Sequence, residues 1–261
     1  MSSTPAAVPP EGLALGAPLS EHRGKTVRLV VTTLLWIPFG LVGLGFAIAP
    51  LYLLIAQGSV PWPSVVLGLP VGLVVLAGTV GLVKENIENI GRRVLVLTGG
   101  LTDLRGGKVT TCHWEDIEEI RQEIVTRTGP LFSHTKHNYR VRVRGGTEHV
   151  FTHRLTGIEA LRDALVERTY DRLLGKALED IRQSGVAKFG ALEVSQTGII
   201  KRGEKLAWPE VKSIGVTALG QLAVRRQGSL INWHVEQASE VPNAHILIAL
   251  VERIPRLGGL A

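Results

Sequence analysis

A long segment without any charged side chain, between Arg28 and Lys84, is the feature that most constrains this chain. The segment is mostly apolar and has about twice the ~20 residues that cross the hydrocarbon core of a bilayer. A Pro-Trp-Pro sequence at 61–63 interrupts it near the middle, where a tight return loop is expected. The sequence therefore predicts a transmembrane α-helical hairpin over residues 23–83.

The residues around the two predicted spans, about 29–56 and 64–83, predict the orientation of the hairpin. Three basic residues precede the first span and three follow the second, whereas the loop between the spans carries no charge. Basic flanks stay in the cytoplasm, so we expect a two-span plasma-membrane protein with both termini cytoplasmic. A cleaved signal peptide is disfavoured, because the apolar run is too long and starts too late. Residues 1–22, rich in Ser, Pro, Ala and Gly, are expected to be a disordered tail.

Composition excludes several classes of function. The net charge of +6 is modest, and no dense basic stripe of the kind that binds nucleic acid occurs. Cys112 is the sole cysteine, so no intramolecular disulfide can form. No phosphate-binding loop, nucleophile elbow or paired-carboxylate motif occurs, and we therefore expect no enzyme activity and no cofactor.

Two stretches after the hairpin share the same order of features. Each has a strand, a glycine turn, a Trp-x-x-Ile or Trp-x-x-Val motif, an alternating strand pair, and a helix containing Ala-Leu-Val-Glu-Arg. The motifs begin at Trp114 (with Ile117) and Trp208 (with Val211), and the pentapeptides cover residues 164–168 and 249–253. Such ordered similarity predicts an internal duplication. We expect a first domain over 84–184, closed by a long helix at 157–183, and a second domain over 185–256.

These motifs, together with Phe189-Gly190, Trp208-Pro-Glu-Val211 and Val241-Pro-Asn243, resemble bacterial pleckstrin-homology-like domains attached to membrane hairpins. They are similar in particular to an uncharacterised family of bacterial membrane proteins. The resemblance implies a membrane hairpin plus an α+β part, namely two small antiparallel β-sandwich or barrel units, each closed by a C-terminal helix. It implies no catalytic residues, and pleckstrin-homology-like folds serve functions from lipid headgroup binding to protein docking.

The two motif tryptophans, Trp114 and Trp208, occupy equivalent positions of the repeat. They could form a ligand-facing aromatic pair. The alternative, which we favour, is that each anchors the core of a sheet, with Ile117 and Val211 packing beside it. These four residues are therefore expected to be structural markers of the repeat.

The segment 139–144, Tyr-Arg-Val-Arg-Val-Arg, is the sharpest electrostatic feature. Strand alternation places Arg140, Arg142 and Arg144 on one face. Three guanidinium groups in a row can grip phosphate or carboxylate oxygens, so these arginines are the candidate contact face. The alternative is a charged strand face that nearby acidic residues neutralise. Those acidic residues are Glu115, Asp116, Glu118, Glu119 and Glu148.

The histidines give little support for a metal site. His134 and His137 are close in sequence, but Lys136 lies between them and opposes cation binding. Cys112 and His113 are adjacent, and adjacent strand residues point to opposite faces, so they make a poor nucleophile–base pair. We expect neither a metal nor catalytic residues.

Taken together, the sequence predicts a membrane-anchored cytoplasmic binding or scaffold module without catalytic activity. Its expected partner, besides the lipid bilayer, is a protein or an anionic lipid headgroup. The alternative is a structural membrane protein that forms homo-oligomers through the glycine faces of the hairpin. An unrecognised enzyme activity is the least favoured reading.

Overall fold

The computed structural model describes residues 15–59, 62, 64–129 and 132–254. Two compact units divide these residues. A helical unit comprises residues 23–94 and 103–110, and a larger β-rich unit comprises the described parts of 1–22, 95–102 and 111–261.

The helical unit is built on two long apolar helices. Helix α1 covers Thr26–Gln57, a π-helical turn covers Ser64–Gly68, and helix α2 covers Leu69–Asn89. Gly58 ends α1 in the left-handed conformation, and its N–H donates to the carbonyl of Leu54 (3.0 Å). Both helices are long and apolar enough to cross a membrane, and in each only 11% of the most apolar window is buried. Such exposure is not that of core helices in a soluble domain.

Small residues allow α1 and α2 to approach closely. A Cβ on Gly72 would lie 2.6 Å from the backbone nitrogen of Ala47, and one on Gly40 would lie 2.9 Å from Cγ2 of Thr79. Near the other end of α2, Nδ2 of Asn86 donates to Oγ1 of Thr33 (3.2 Å). The two helices therefore form a packed hairpin, as the sequence predicts.

The first half of the remaining structure is a four-stranded sheet, a three-stranded sheet and a long helix. The first sheet has the order β1-β2-β3-β4 and consists of Pro18–Arg23, Arg93–Leu97, Gly100–Arg105 and Lys108–His113. A 3₁₀ turn at Trp114–Asp116 leads into the second sheet, order β5-β6-β7, with strands Ile117–Gly129, Phe132–Val143 and Glu148–Phe151. Helix α3, Ile158–Ser184, follows.

The second half has the same order of elements. Its four-stranded sheet, order β11-β10-β9-β8, consists of Val186–Phe189, Leu192–Ser195, Gly198–Lys201 and Glu204–Ala207. A 3₁₀ turn at Trp208–Glu210 leads into strands β12, β13 and β14, at Val211–Val216, Gln221–Arg226 and Asn232–Gln237. Helix α4, Ala244–Arg253, closes this half. Strand β12 has a register irregularity between Val211 and Ser213, as β5 has between Ile117 and Glu119.

The expected disordered tail over 1–22 is wrong for its last residues. Residues 18–22 belong to β1, an edge strand of the first sheet, so the first half begins before the hairpin and not at residue 84. The partner of β1 is β2, which follows the hairpin in the chain, and local composition gives no sign of so distant a pairing. Residues 1–14 lie outside the described residues.

Buried side chains in the second half form one core. Apolar residues of the strands, such as Val194 and Val224, pack with Leu247 and Leu250 of α4 and with the end of α3. Helix α4 is apolar around most of its circumference because it packs against several elements, including β5 and β12.

Candidate functional site

The three candidate arginines lie on strand β6 and in the turn after it. Tyr139 and Val141 are fully buried, whereas Arg140 and Arg142 are exposed on the opposite face of the sheet. Arg144 follows the last residue of β6 and is also exposed. The alternation predicted from the sequence therefore places Arg140 and Arg142 on one exposed face.

Arg142 binds a buried carboxylate. Its guanidinium forms an ion pair with Glu119, the residue opposite it on β5, and Arg121 forms an ion pair with the same carboxylate. The side chain of Glu119 is only 4% exposed. A buried carboxylate is costly unless it is paired, so part of the role of Arg142 is to balance Glu119.

Arg144 has an acidic neighbour as well. Its Nη1 lies 3.6 Å from Oδ1 of Asp116, and its backbone N–H donates to the carbonyl of Asp116 (2.7 Å). Arg144 is largely exposed and Asp116 is partly exposed, and a surface pair of this kind contributes little to stability. The acidic cluster thus neutralises two of the three arginines, in line with the alternative interpretation of this strand.

Arg140 differs from its two neighbours. Across the sheet it lies directly opposite Arg121 of β5, and within the described part of the chain its guanidinium has no ion-pair partner. Like charges placed directly opposite each other disfavour the sheet. In the Arg121–Arg140 pair, which we call the arginine pair, Arg121 already meets Glu119, and the exposed Arg140 is the member suited to an anionic group supplied from outside.

A cleft of about 200 Å³ opens beside Arg142, between the three-stranded sheet of the first half and the elements α3, β8 and the start of α4. Its lining carries both signs of charge, which disfavours a strongly charged ligand. The charged lining residues are Glu118, Glu119, Arg142, Lys176, Asp180 and Lys188.

Asn243 closes one end of this cleft and joins α4 to strand β5. It adopts a positive φ of 51°, which Asn tolerates better than most residues. Its Oδ1 accepts the N–H of Ile120 (2.8 Å), its Nδ2 donates to the carbonyl of Glu118 (3.0 Å), and its own N–H donates to the carbonyl of Ile120 (2.9 Å). One residue thus makes three hydrogen bonds to a single strand.

The two tryptophans make equivalent contacts. The indole N–H of Trp114 donates to the carbonyls of Leu97 and Thr98 (3.1 Å each), and that of Trp208 donates to the carbonyl of Gln196 (2.8 Å). In each half the tryptophan therefore fastens a turn of the four-stranded sheet. Ile117 is fully buried beside the first turn, and Val211 packs at the edge of the second core.

The remaining residues considered from the sequence are Cys112 and the histidines. Burial raises the pKa of the Cys112 thiol to about 12, so the thiol stays protonated and unreactive. His137 lies 3.6 Å from a carboxylate oxygen of Glu159, and the side chain of His134 lies outside the described residues. Among the described residues, no three His, Cys, Asp or Glu side chains come together in a way that would hold a metal ion.

Two features escape analysis of the sequence alone. The buried Glu119 depends on the irregularity in β5, which selects it over Glu118 to lie opposite Arg142. The triple contact of Asn243 joins segments more than a hundred residues apart, although Val-Pro-Asn before an apolar helix could have indicated a special turn.

Comparison with known proteins identifies a family whose function is unknown. Residues 8–256 match the model of a "Family of unknown function (DUF6585)", and the chain belongs to that family. No curated protein and no solved structure matches the chain.

Proposed function

We propose that this protein is a bacterial integral membrane protein whose α1–α2 hairpin crosses the plasma membrane twice, with both termini in the cytoplasm. The β-rich part is a non-catalytic binding module made of two pleckstrin-homology-like units, and it docks a partner carrying acidic groups. The observation that carries this proposal is the arginine pair, in which Arg140 is exposed and has no ion-pair partner among the described residues.

The composition and exposure of the hairpin support membrane insertion. The apolar side chains of α1 and α2 are mostly exposed, and burying them in hydrocarbon is favourable by roughly 25 cal/mol per Å². Trp62, in the return between the helices, is 71% exposed, a position that suits the bilayer interface. The basic flanks at 23–28 and 84–93 favour cytoplasmic ends.

The repeated order of elements supports two pleckstrin-homology-like units. Each half has four strands in one sheet, a 3₁₀ turn that starts with tryptophan, three strands in a second sheet and then a helix. The shared irregularity after Ile117 and Val211 adds a fifth common feature. This order agrees with what the family resemblance implies.

The charges around the arginine pair favour a protein partner over a uniformly anionic bilayer. Carboxylates are interspersed on the same sheet face: Glu119 and Glu148 lie opposite Arg142, and Glu123 lies opposite Asn138. A face of mixed charge complements a protein surface, where opposite charges can be matched one by one. We therefore infer an acidic protein segment as the ligand of this face.

A photo-crosslinking experiment in cells tests this proposal. A photoreactive amino acid replaces Glu148, which is exposed on the same face, in the full-length chain. We expect a discrete adduct that Arg121→Ser with Arg140→Ser weakens at least tenfold. Arg182→Ser is the control, because Arg182 is an exposed arginine on a different element, α3. Equal adduct yields in all three chains would refute the role of the arginine pair.

A structural, homo-oligomeric function is the second candidate, and the glycines of the hairpin favour it. A Cβ added to Gly45, Gly78 or Gly81 would have no neighbour within 4 Å among the described residues, so these positions face away from the partner helix. Small residues on the lipid side permit close helix contacts. Gly78→Leu with Gly81→Leu should then abolish cross-linked oligomers in mild detergent, and unchanged oligomers would exclude this interface.

A further inference from the structure

The turn between β13 and β14, residues 227–231, exposes two adjacent apolar side chains. Leu230 is fully exposed, and Ile231 is 79% exposed. Turns of soluble domains usually carry polar residues, and consecutive exposed apolar residues are a liability unless they have a function. We call residues 227–231 the apolar tip.

The apolar tip is an ordered turn. The Ser229 hydroxyl accepts the N–H of Ile231 (3.1 Å) and donates to its carbonyl (2.9 Å). Gly228 provides the positive φ of 74° that the turn requires. At the base, Nε of Arg225 donates to Oδ1 of Asn232 (3.3 Å). The polar groups of Ile231 are thus satisfied inside the turn, while its side chain and that of Leu230 point outward.

A second turn, between β10 and β11, is linked by one hydrogen bond to the strand that follows the apolar tip. The indole N–H of Trp233, at the base of the tip, donates to Oε1 of Glu204, which begins β11 (2.9 Å). Lys201 is paired with Glu204 across this turn, so the contact links the turn that carries Lys201 and Arg202 to the base of the tip.

Basic residues are frequent on these two linked turns. Five lie on the two turns and the strands beside them, and all are at least partly exposed: Lys201, Arg202, Lys205, Arg225 and Arg226. Two carboxylates accompany them, and both are engaged, Glu204 with Trp233 and Glu210 with Arg226. The hydrogen bond from Arg226 lowers the pKa of Glu210. The surroundings of the tip are positively charged overall.

We propose that the apolar tip inserts Leu230 and Ile231 into the interface of an anionic bilayer, while the surrounding basic side chains contact lipid headgroups. This inference rests on the proposed membrane anchoring, which tethers the β-rich unit to a bilayer. Exposed apolar side chains flanked by basic ones are the pattern that binds anionic membrane surfaces. Tethering on the same chain raises the effective concentration of the surface, so two inserted side chains suffice.

A fluorescent probe at the tip of the full-length chain tests this insertion. Leu230→Cys is labelled with an environment-sensitive dye, and the chain is reconstituted into lipid nanodiscs. Native Cys112 is buried, so unmutated protein serves as the labelling blank. Leu219→Cys is the matched control, since Leu219 is 67% exposed in the turn at the opposite end of the same sheet.

We expect the probe at position 230 to shift to the blue in nanodiscs containing phosphatidylglycerol, and high salt should reverse much of this shift. Lipid-borne quenchers should quench it several-fold more than the probe at position 219. Lys201→Gln with Arg202→Gln should reduce the shift, which shows that the protein and not the dye drives insertion.

The outcomes separate this inference from the anchoring on which it rests. If the probe at position 230 stays in water while the chain remains in the nanodisc, insertion of the tip is wrong and the anchoring stands. An equal shift in purely neutral nanodiscs overturns the role of anionic lipid. Loss of the chain from nanodiscs in alkaline carbonate overturns the anchoring itself.

Discussion

The turns that follow the sixth strand of each half make the clearest comparison in this molecule. In the first half, the turn between β6 and β7 is Arg144-Gly-Gly-Thr147, and its glycines Gly145 and Gly146 have positive φ. In the second half, the turn between β13 and β14 is the apolar tip. The same order of elements thus carries a polar turn in one half and an exposed apolar one in the other. Duplicating a scaffold leaves each copy free to present a different surface.

The strands beside these turns differ in how their arginine charges are balanced. In the first half, Arg142 lies opposite the buried Glu119. In the second half, the corresponding pair is Arg225 opposite Ser213, and both residues are exposed. Replacement of a carboxylate by a hydroxyl leaves the second half with a surplus of positive charge. At this position the positive charge of the first half is balanced by a carboxylate, whereas that of the second half is not. The second half is therefore better suited to an anionic surface.

The largest expected difference between the halves is a response to acid. Burial lowers the pKa of His245, in the second half, to about 4. An unfolded histidine, with its pKa near 6.5, takes up a proton first, so this residue removes stability as the pH falls from about 6.5 to about 4. The loss approaches about 3 kcal/mol. Thermal unfolding of the wild type and of His245→Phe should diverge below pH 6.5.

His22 provides the first-half counterpart of this measurement. Burial lowers its pKa, but a hydrogen bond to the carbonyl of Thr156 (3.1 Å) partly opposes that effect. His22→Gln should therefore change the slope of stability against pH less than His245→Phe does. A larger effect at His22 would reverse this ranking of the two sites.

Removal of the buried Glu119 carboxylate should have the next largest effect on stability. Glu119→Ala leaves Arg121 and Arg142 without their shared partner and should lower the free energy of unfolding by about 2–3 kcal/mol. This is less than for a fully buried pair, because both guanidinium groups reach solvent. Ser213→Ala, at the corresponding position of the second half, should change it by less than about 0.5 kcal/mol. Equal denaturation midpoints for the two variants would contradict a structural role for Glu119.

Loss of the Asn243 contact with strand β5 should have a smaller effect on the free energy of unfolding, and its two causes can be separated. Asn243→Ala removes two side-chain hydrogen bonds and puts alanine, which tolerates positive φ less well than asparagine, at this position. The two effects together should lower the free energy of unfolding by about 2 kcal/mol. Asn243→Gly loses the same hydrogen bonds without the backbone strain and should be the more stable of the two, by about 1 kcal/mol. Differential scanning fluorimetry of both variants measures the two contributions. Identical melting temperatures would mean that strain contributes nothing.

Sequence patterns predict the helices and strands of this molecule better than they predict which strands pair and which charged side chains meet. The long closing helix, expected at 157–183, occurs at Ile158–Ser184, because its apolar residues recur at helical spacing. The alternation at 139–144 likewise identifies the buried and exposed faces of β6. Strand β1 could not be recognised, because its stability comes from a partner beyond the hairpin. The ion pairs of Glu119 were equally inaccessible, since a single irregularity in β5 decides which carboxylate meets Arg142.

The position of the hairpin in the chain also sets an order of events during synthesis. Strand β1 leaves the ribosome before α1 and α2, yet its sheet neighbour β2 is made only after them. The first sheet therefore cannot form until the hairpin has been translated, whereas the second half is contiguous and needs no earlier segment for its two sheets. Until β2 has been made, β1 remains without its sheet neighbour, and an unpaired strand edge is what chaperones and proteases recognise. Completion of the first sheet thus reports that the whole hairpin has been translated, and it makes the first half depend on a segment that the second half does not need.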